Sequence, residues 1–159
     1  SIYNELAREM PGEEREIGRL YVSYLMNGAG GNEGRRLEAA TEKGPLNARI
    51  FGLKAALDRD APQETIRILV ERVPPVLADF GYYAFVLRGE ARMRLGSFSE
   101  AQEDFRRALA LEPKAAVAHW GMAVLLRKMQ RGSESRAELR ALLSFHPEYI
   151  PAIVAEQSF

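Results

Sequence analysis

The chain reads as an all-α protein built from stacked antiparallel helix pairs, and three observations predict this. One long stretch recurs in approximate form immediately after itself. Ala, Leu, Arg and Glu, all good helix formers, are abundant, and no run of β-branched residues alternates strictly with polar ones. Glycine and proline fall at regular intervals and cut the chain into segments of roughly 10–16 residues, within the usual range for a globular helix.

The repeat is the strongest of the three. Residues 82–115 read YYAFVLRGEARMRLGSFSEAQEDFRRALALEPKA, and residues 116–149 read AVAHWGMAVLLRKMQRGSESRAELRALLSFHPEY. Laying the second stretch on the first places Glu134 on Glu100, Leu139 on Phe105, Leu143 on Leu109 and Pro147 on Pro113. A period in this range marks an architecture of stacked units. A unit this short cannot bury its own apolar face, so it packs on its neighbours and leaves an extended concave surface to a partner.

Taken in order, helices are predicted near 2–9, 13–27, 33–43, 46–58, 62–73, 82–95, 98–111, 115–130, 133–144 and 148–157. Met10-Pro11-Gly12 ends the first. Glu13-Glu14 open the second with charge that suits the helix dipole, and Gly28-Ala29-Gly30-Gly31-Asn32 ends it. Gly44-Pro45 separates the third from the fourth, which stops at Asp60-Ala61-Pro62. Pro62 sits where a first helical turn tolerates a missing N–H, with Glu64 close behind, and Pro74-Pro75 closes that helix. Gly96-Ser97 ends the next. Ser97 or Ser99 is expected to cap the helix at 98–111, and Ser99 with Gln102 has the spacing of a capping box. Glu112-Pro113 ends it. Arg131-Gly132-Ser133 separates the following pair, with Ser133 as the expected cap, and His146-Pro147 precedes the terminal segment. Within 98–111, Phe98, Ala101, Phe105, Ala108 and Leu109 recur at three- and four-residue steps and form one apolar stripe, while Glu103, Arg106 and Arg107 face solvent.

These residues carry a family resemblance. Phe85, small Gly89, turn Gly96, Phe98, and then Ala101, Phe105, Ala108 and Pro113 stand at the spacing of a tetratricopeptide repeat, which residues 82–115 closely resemble. Two positions depart from the pattern: Arg88, where the family prefers leucine, and Arg92, where it prefers tyrosine. Residues 116–149 are a weaker match, with Ala123, Leu139 and Pro147 in place, Gln130 replacing the turn glycine, and Ser135 and Leu142 replacing the two alanines. Over 46–75, Gly52, Leu53, Ala56, Thr65, Ile66, Leu69 and Val73 suit a divergent repeat. Residues 14–45 rest on Leu20, Tyr24, Leu37, Ala40 and Pro45. The resemblance implies one domain over 1–159, with a degenerate repeat at 14–45, a divergent one at 46–81, the best match at 82–115, another at 116–149 and a capping helix at 150–159. It further implies a right-handed superhelix whose first helices line a concave face that binds peptides or partner proteins without catalysis.

Family geometry turns Asn47, Ile50 and Lys54 toward that face from the helix at 46–58. It turns Tyr83, Val86, Glu90 and Arg94 inward from 82–95, and Val117, Trp120, Val124, Arg127 and Lys128 from 115–130. The expected centre is apolar (Tyr83, Val86, Trp120, Val124) and edged by both signs of charge. Trp120 has two readings, as a packed core residue or as an anchor for a bound segment. Glu90 would repel a C-terminal carboxylate, so a partner with an apolar face, extended or helical, is preferred.

Other chemistry finds little support. Formal net charge is zero, so no general attraction to nucleic acid is expected, and no stretch approaches the roughly 18 apolar residues of a membrane span. There are no cysteines, hence no disulfides or thiolate catalysis. The glycine-rich segment from Gly28 to Gly34 lacks the Gly-Lys-Ser/Thr ending of a phosphate loop and follows a helix rather than a strand. The separation of His119 and His146 matches no common metal spacing; His119 is expected to be packed and His146 to serve a helix end. No nucleophile, base and orienting group come together. No catalytic residue, cofactor or metal is therefore expected.

The functional expectation is a protein-interaction module. The alternatives are a chaperone or assembly factor for secreted or membrane-associated clients, and a regulatory domain cut from a larger enzyme. The start at Ser1 and the abrupt end at Phe159 suggest a piece of something longer. A cytoplasmic location is expected, with the periplasm as the alternative. The apolar segment Tyr149, Ile150, Pro151, Ala152, Ile153 and Val154 is expected either to cover the last repeat or to dock on another molecule, including a second copy.

Overall fold

The computed structural model describes residues 12–28, 31–73 and 81–158. The helix expected near 2–9 lies outside them. Among the described residues the structure is all-α, with no strand. The helices are α1 (Gly12–Asn27), α2 (Asn32–Ala40), α3 (Leu46–Asp58), α4 (Gln63–Arg72), α5 (Tyr82–Arg94), α6 (Phe98–Leu111), α7 (Ala116–Lys128), α8 (Gly132–Phe145) and α9 (Ile150–Ser158). They form two compact units, Ser1–Val76 and Leu77–Phe159.

In the first unit α2 packs on α1 and α3, and α4 packs on α3. Its core joins Ile17, Tyr21 and Tyr24 to Leu37, Ala48 and Ala55, with Phe51 stacked on Tyr21 at a centroid distance of 4.0 Å. Gly52 lets α2 and α3 close on each other: a Cβ there would stand 2.4 Å from the Thr41 methyl and 2.9 Å from the Leu37 carbonyl oxygen. Arg72 extends the same contact by donating to the Thr41 hydroxyl at 2.8 Å.

In the second unit α5 pairs with α6 and α7 with α8, the first helices α5 and α7 touch, and α9 packs on α8. Phe105 is wholly buried, and its ring fills the space left by two glycines. A Cβ on Gly89 of α5 would approach the ring to 3.1 Å, and one on Gly121 of α7 to 2.4 Å. The Ala101, Phe105 and Ala108 stripe read from the sequence is the buried face of α6, and Glu103, Arg106 and Arg107 are exposed. The two family departures share one partner. Arg88 donates to Asp104 through Nη2 at 2.7 Å and Arg92 through Nη1 at 2.7 Å, with Asp104 itself fully buried. α9 lays Ala152 and Ala155 on the cluster of Ala123, Leu139 and Leu142, so it does cover the last pair; Ile150 and Val154 point away and are 70% and 58% exposed.

The turns explain why the repeat survives substitution. α5 ends with Gly96 at φ +80° and a hydrogen bond from Ser97 N–H to the Arg92 carbonyl at 2.9 Å. α7 ends in the same way at Gln130, φ +61°, with Arg131 N–H on Leu126 at 2.9 Å, and α3 does so at Asp60, φ +54°, with Ala61 N–H on Ala56 at 2.9 Å. The hydrogen-bonded stop is thus kept at the ends of α3, α5 and α7, while of these three only α5 uses the glycine that a left-handed residue favours. The serine caps read from the sequence are corrected. Ser97 sits at the cap of α6 without a side-chain bond, and α8 begins after Arg131, leaving Ser133 inside it.

Two stability outcomes follow. Gln130→Gly relieves a left-handed non-glycine residue and is expected to raise stability by about 0.5–1 kcal/mol in thermal unfolding. Gly121→Ala drives a methyl into the Phe105 ring and is expected to cost about 1–3 kcal/mol. In a double-mutant cycle, Phe105→Leu should reduce that cost; strict additivity would show that the ring is not the obstacle.

Candidate functional site

The site is built on α5 and α7, whose repeat register sets equivalent residues side by side. A depression of about 180 Å³ is lined by Glu90, Met93 and Arg94 from α5 and by Trp120, Gly121 and Val124 from α7. Four of these six are residues that the sequence pointed inward. Met93 and Gly121 were missed. Met93 takes the place in its repeat that Arg127 takes in the next, and was legible from that; Gly121 offers no side chain to read.

Trp120 is half-buried, and its ring tilts against Tyr149 at 6.2 Å and 52°. It therefore packs on the edge of the core and also faces the depression, so both readings of this residue describe part of its position. Burial raises the pKa of the Tyr149 phenol, and the Glu90 carboxylate adds to the rise. Tyr83, Arg94, Arg127 and Lys128 are exposed, and Val117 and Val124 are partly so.

Two expected contributors are corrected. Val86 is 1% exposed and belongs to the core; a short branched side chain flanked one turn away by Tyr83 and Glu90 ends beneath the surface they define. Ile50 is likewise buried, at 5% exposure. The remaining residues expected from α3 are engaged inside the first unit. Asn47 donates to the Glu14 carbonyl at 3.2 Å, and Lys54 pairs with Asp58 at 2.6 Å.

The histidines hold one turn. His119 is buried, with Nδ1 2.8 Å from the Glu138 carboxylate and Nε2 2.7 Å from the Pro113 carbonyl oxygen. Both neighbours are acceptors, so the protonated ring satisfies both. The Glu138 hydrogen bond raises its pKa against the opposing effect of burial, and the Pro113 carbonyl adds to the rise. His146, at the end of α8, reaches the Lys114 carbonyl at 2.6 Å. Adjacent carbonyls of the turn between α6 and α7 are thereby held from two helices. Among the described residues no group of three or more His, Asp or Glu side chains is placed to hold a metal ion. No helix among them is long and apolar enough to cross a membrane.

Residues 92–155 match the family model described as tetratricopeptide repeat. That stretch of the chain carries tetratricopeptide-repeat sequence. Two solved structures share its fold. One, a crystal structure of MamA protein, has a TM-score of 0.67 at 16% identity, covering 90% of this chain and 78% of that one. Another crystal structure of MamA has a TM-score of 0.62 at 18% identity, covering 76% and 70%. No curated protein sequence matches significantly. Tetratricopeptide repeats are protein-interaction scaffolds, and the matched residues support that general class.

The His119 geometry makes stability depend on pH. A folded-state pKa above the unfolded value of about 6.5 gives a contribution that is full below that value and lost as pH rises through the folded pKa. Urea midpoints are expected to fall from pH 6 into the alkaline range in the wild type. His119→Gln should flatten that segment of the profile. An unchanged slope in the variant would assign the titration elsewhere.

Proposed function

We propose that the faces of α5 and α7 bind a protein segment with an apolar side, either a peptide or a partner helix, and that Trp120 is its anchor. The observation that supports this reading is the depression in which Trp120 and Val124 meet Met93 under an edge of Glu90 and Arg94. An aromatic ring half-embedded in a core and half-facing a concavity loses little side-chain entropy when a partner covers it. Such residues often carry a large share of binding energy. No group in the depression combines a nucleophile with an activating base, so the reading is of recognition without chemistry. In this reading the helix pairs α1–α2 and α3–α4 are repeats of the same design within one tetratricopeptide-like domain.

Trp120 is the only tryptophan of the chain, so its emission reports directly on the site. Segments selected from a displayed library of amphipathic helices should shift that emission on binding. Val124→Asp should weaken their binding about tenfold or more without lowering helicity by circular dichroism, as expected for a charge placed in the apolar centre beside the anchor. Trp120→Ala should do so more strongly. Selected segments that bind both variants as tightly as the wild type would move the binding surface off α5 and α7.

A further inference from the structure

α9 stands in the row of first helices. The offset that lays Pro147 on Pro113 also lays Ile150, the first residue of α9, on Ala116 of α7, and Ala116 on Tyr82 of α5. Burial agrees with that register. Ala152, Ala118 and Ala84 share one place and are all buried, and α9 packs on α8 as α7 packs on α6. Each earlier first helix is covered on one face by the second helix that follows it. On α5 that face holds Arg88, which donates to Asp104 and lies against the Phe85 ring, and Gly89, which seats Phe105. On α7 it holds His119, which meets Glu138, and Ala123, whose carbonyl accepts from the Ser135 hydroxyl at 2.7 Å. The same places on α9 are Ile153, Glu156 and Gln157, with Ile150 one turn before them. Phe85 and His119 are buried, whereas Ile153 is 38% exposed, and Ile150, Glu156 and Gln157 are exposed with it. A terminal cap is expected to turn polar residues outward. α9 instead presents an apolar face that is uncovered among the described residues, at the register where both earlier pairs carry a helix.

The two earlier pairs define what fits such a face. α6 and α8 each bring a small residue, an acid three places on, and a large apolar residue next to the acid: Ala101, Asp104 and Phe105, then Ser135, Glu138 and Leu139. The acid meets a donor on the first helix, Arg88 in one pair and His119 in the other. α9 has no basic residue, and at the place of Arg88 it carries Glu156. We propose that this face of α9 seats a helix of a partner protein. That helix keeps the small and large residues of α6 and α8 but carries lysine or arginine where they carry an acid. Its apolar stripe lies against Ile150 and Ile153, and its base meets Glu156. A second copy of this chain is a poor source of that helix. Its α6 and α8 are already seated on their own first helices, and Asp104 and Glu138 would bring like charge to Glu156. Glu156 is exposed, so its charge selects the partner more than it strengthens the contact.

The test uses three synthetic helical peptides that share the small and large stripe and carry Lys, Gln or Glu at the place of Asp104. They are labelled with fluorescein and titrated with the whole chain, read by anisotropy. The Lys peptide is expected to bind about threefold tighter than the Gln peptide at low ionic strength, and the Glu peptide weakest. That gap should close near 1 M salt, where the Debye length is about 3 Å. Glu156→Lys, a change at an exposed site, should keep its melting temperature and invert the preference toward the Glu peptide. Ile153→Glu and the more exposed Ile150→Glu should each abolish binding of all three. Val124→Asp lies in the depression and should leave this binding unchanged, so failure here and failure of the proposed function are told apart. Equal binding of the three peptides would overturn the basic-helix assignment. Binding lost in Val124→Asp but kept in both isoleucine variants, or no binding of any peptide, would overturn the site. A wild-type dimer in sedimentation equilibrium that Ile150→Glu dissolves would give the face to a second copy and overturn the partner assignment.

Discussion

Phe105 has no room unless two neighbouring helices present no Cβ to it, and the geometry of the second unit depends on this. Gly89 and Gly121 come from successive first helices, and the ring of the intervening α6 touches both. The depth to which that ring seats therefore sets how closely α5 and α7 approach. The same approach sets the spacing of Glu90, Met93 and Arg94 from Trp120 and Val124, with Gly121 itself in the lining of the depression. Core packing and the dimensions of the candidate site are thus one constraint. A substitution that relieved the core by spreading the helices would also reshape the surface.

The buried ion cluster is the second device holding α5 to α6. Asp104 has no exposure, so its charge is tolerable only because Arg88 and Arg92 both donate to it. Arg88 also lies 5.7 Å from the centroid of the Phe85 ring, which keeps the guanidinium against carbon on its other side. Leucine and tyrosine, the family's preferences at these places, would fill the space by apolar contact. Two arginines and an aspartate fill it by charge, at a cost in desolvation and a gain in directionality, since a forked donor fits a carboxylate in few orientations.

Among the described residues the helices are legible in the sequence to within about three residues at each end, because glycine, proline and apolar periodicity act locally and each has a direct physical cause. What is less legible depends on pairing across elements. Arg88 and Arg92 stand out as departures from a pattern, yet nothing local to either names Asp104 on the following helix. Gln130 reads as a lost turn glycine, whereas the backbone keeps the left-handed turn and its hydrogen bonds without one. At the site, register alone brings out Glu90, Arg94, Trp120 and Val124. It fails at Val86, because register gives the direction of a side chain and not its reach. Gly121 escapes notice because it contributes an absence.

The same division explains why a scaffold can be read so much further than its partner. Stacking demands small and large residues at fixed places, so it writes a strong signal into α6 and α8. In the proposed mode, recognition demands only that a few side chains on α5 and α7 be apolar or charged, and those places tolerate many residue types once packing is met. His119 shows how closely the two layers lie. It stands next to Trp120, yet its ring turns to Glu138 and Pro113 and fixes the turn that leads into α7. One residue on, the chain is free to face outward. The histidine, the glycine seats and the ion cluster hold the helices that frame the shallow concavity, and under the proposed function a preformed surface loses less entropy on binding than one that must be ordered first.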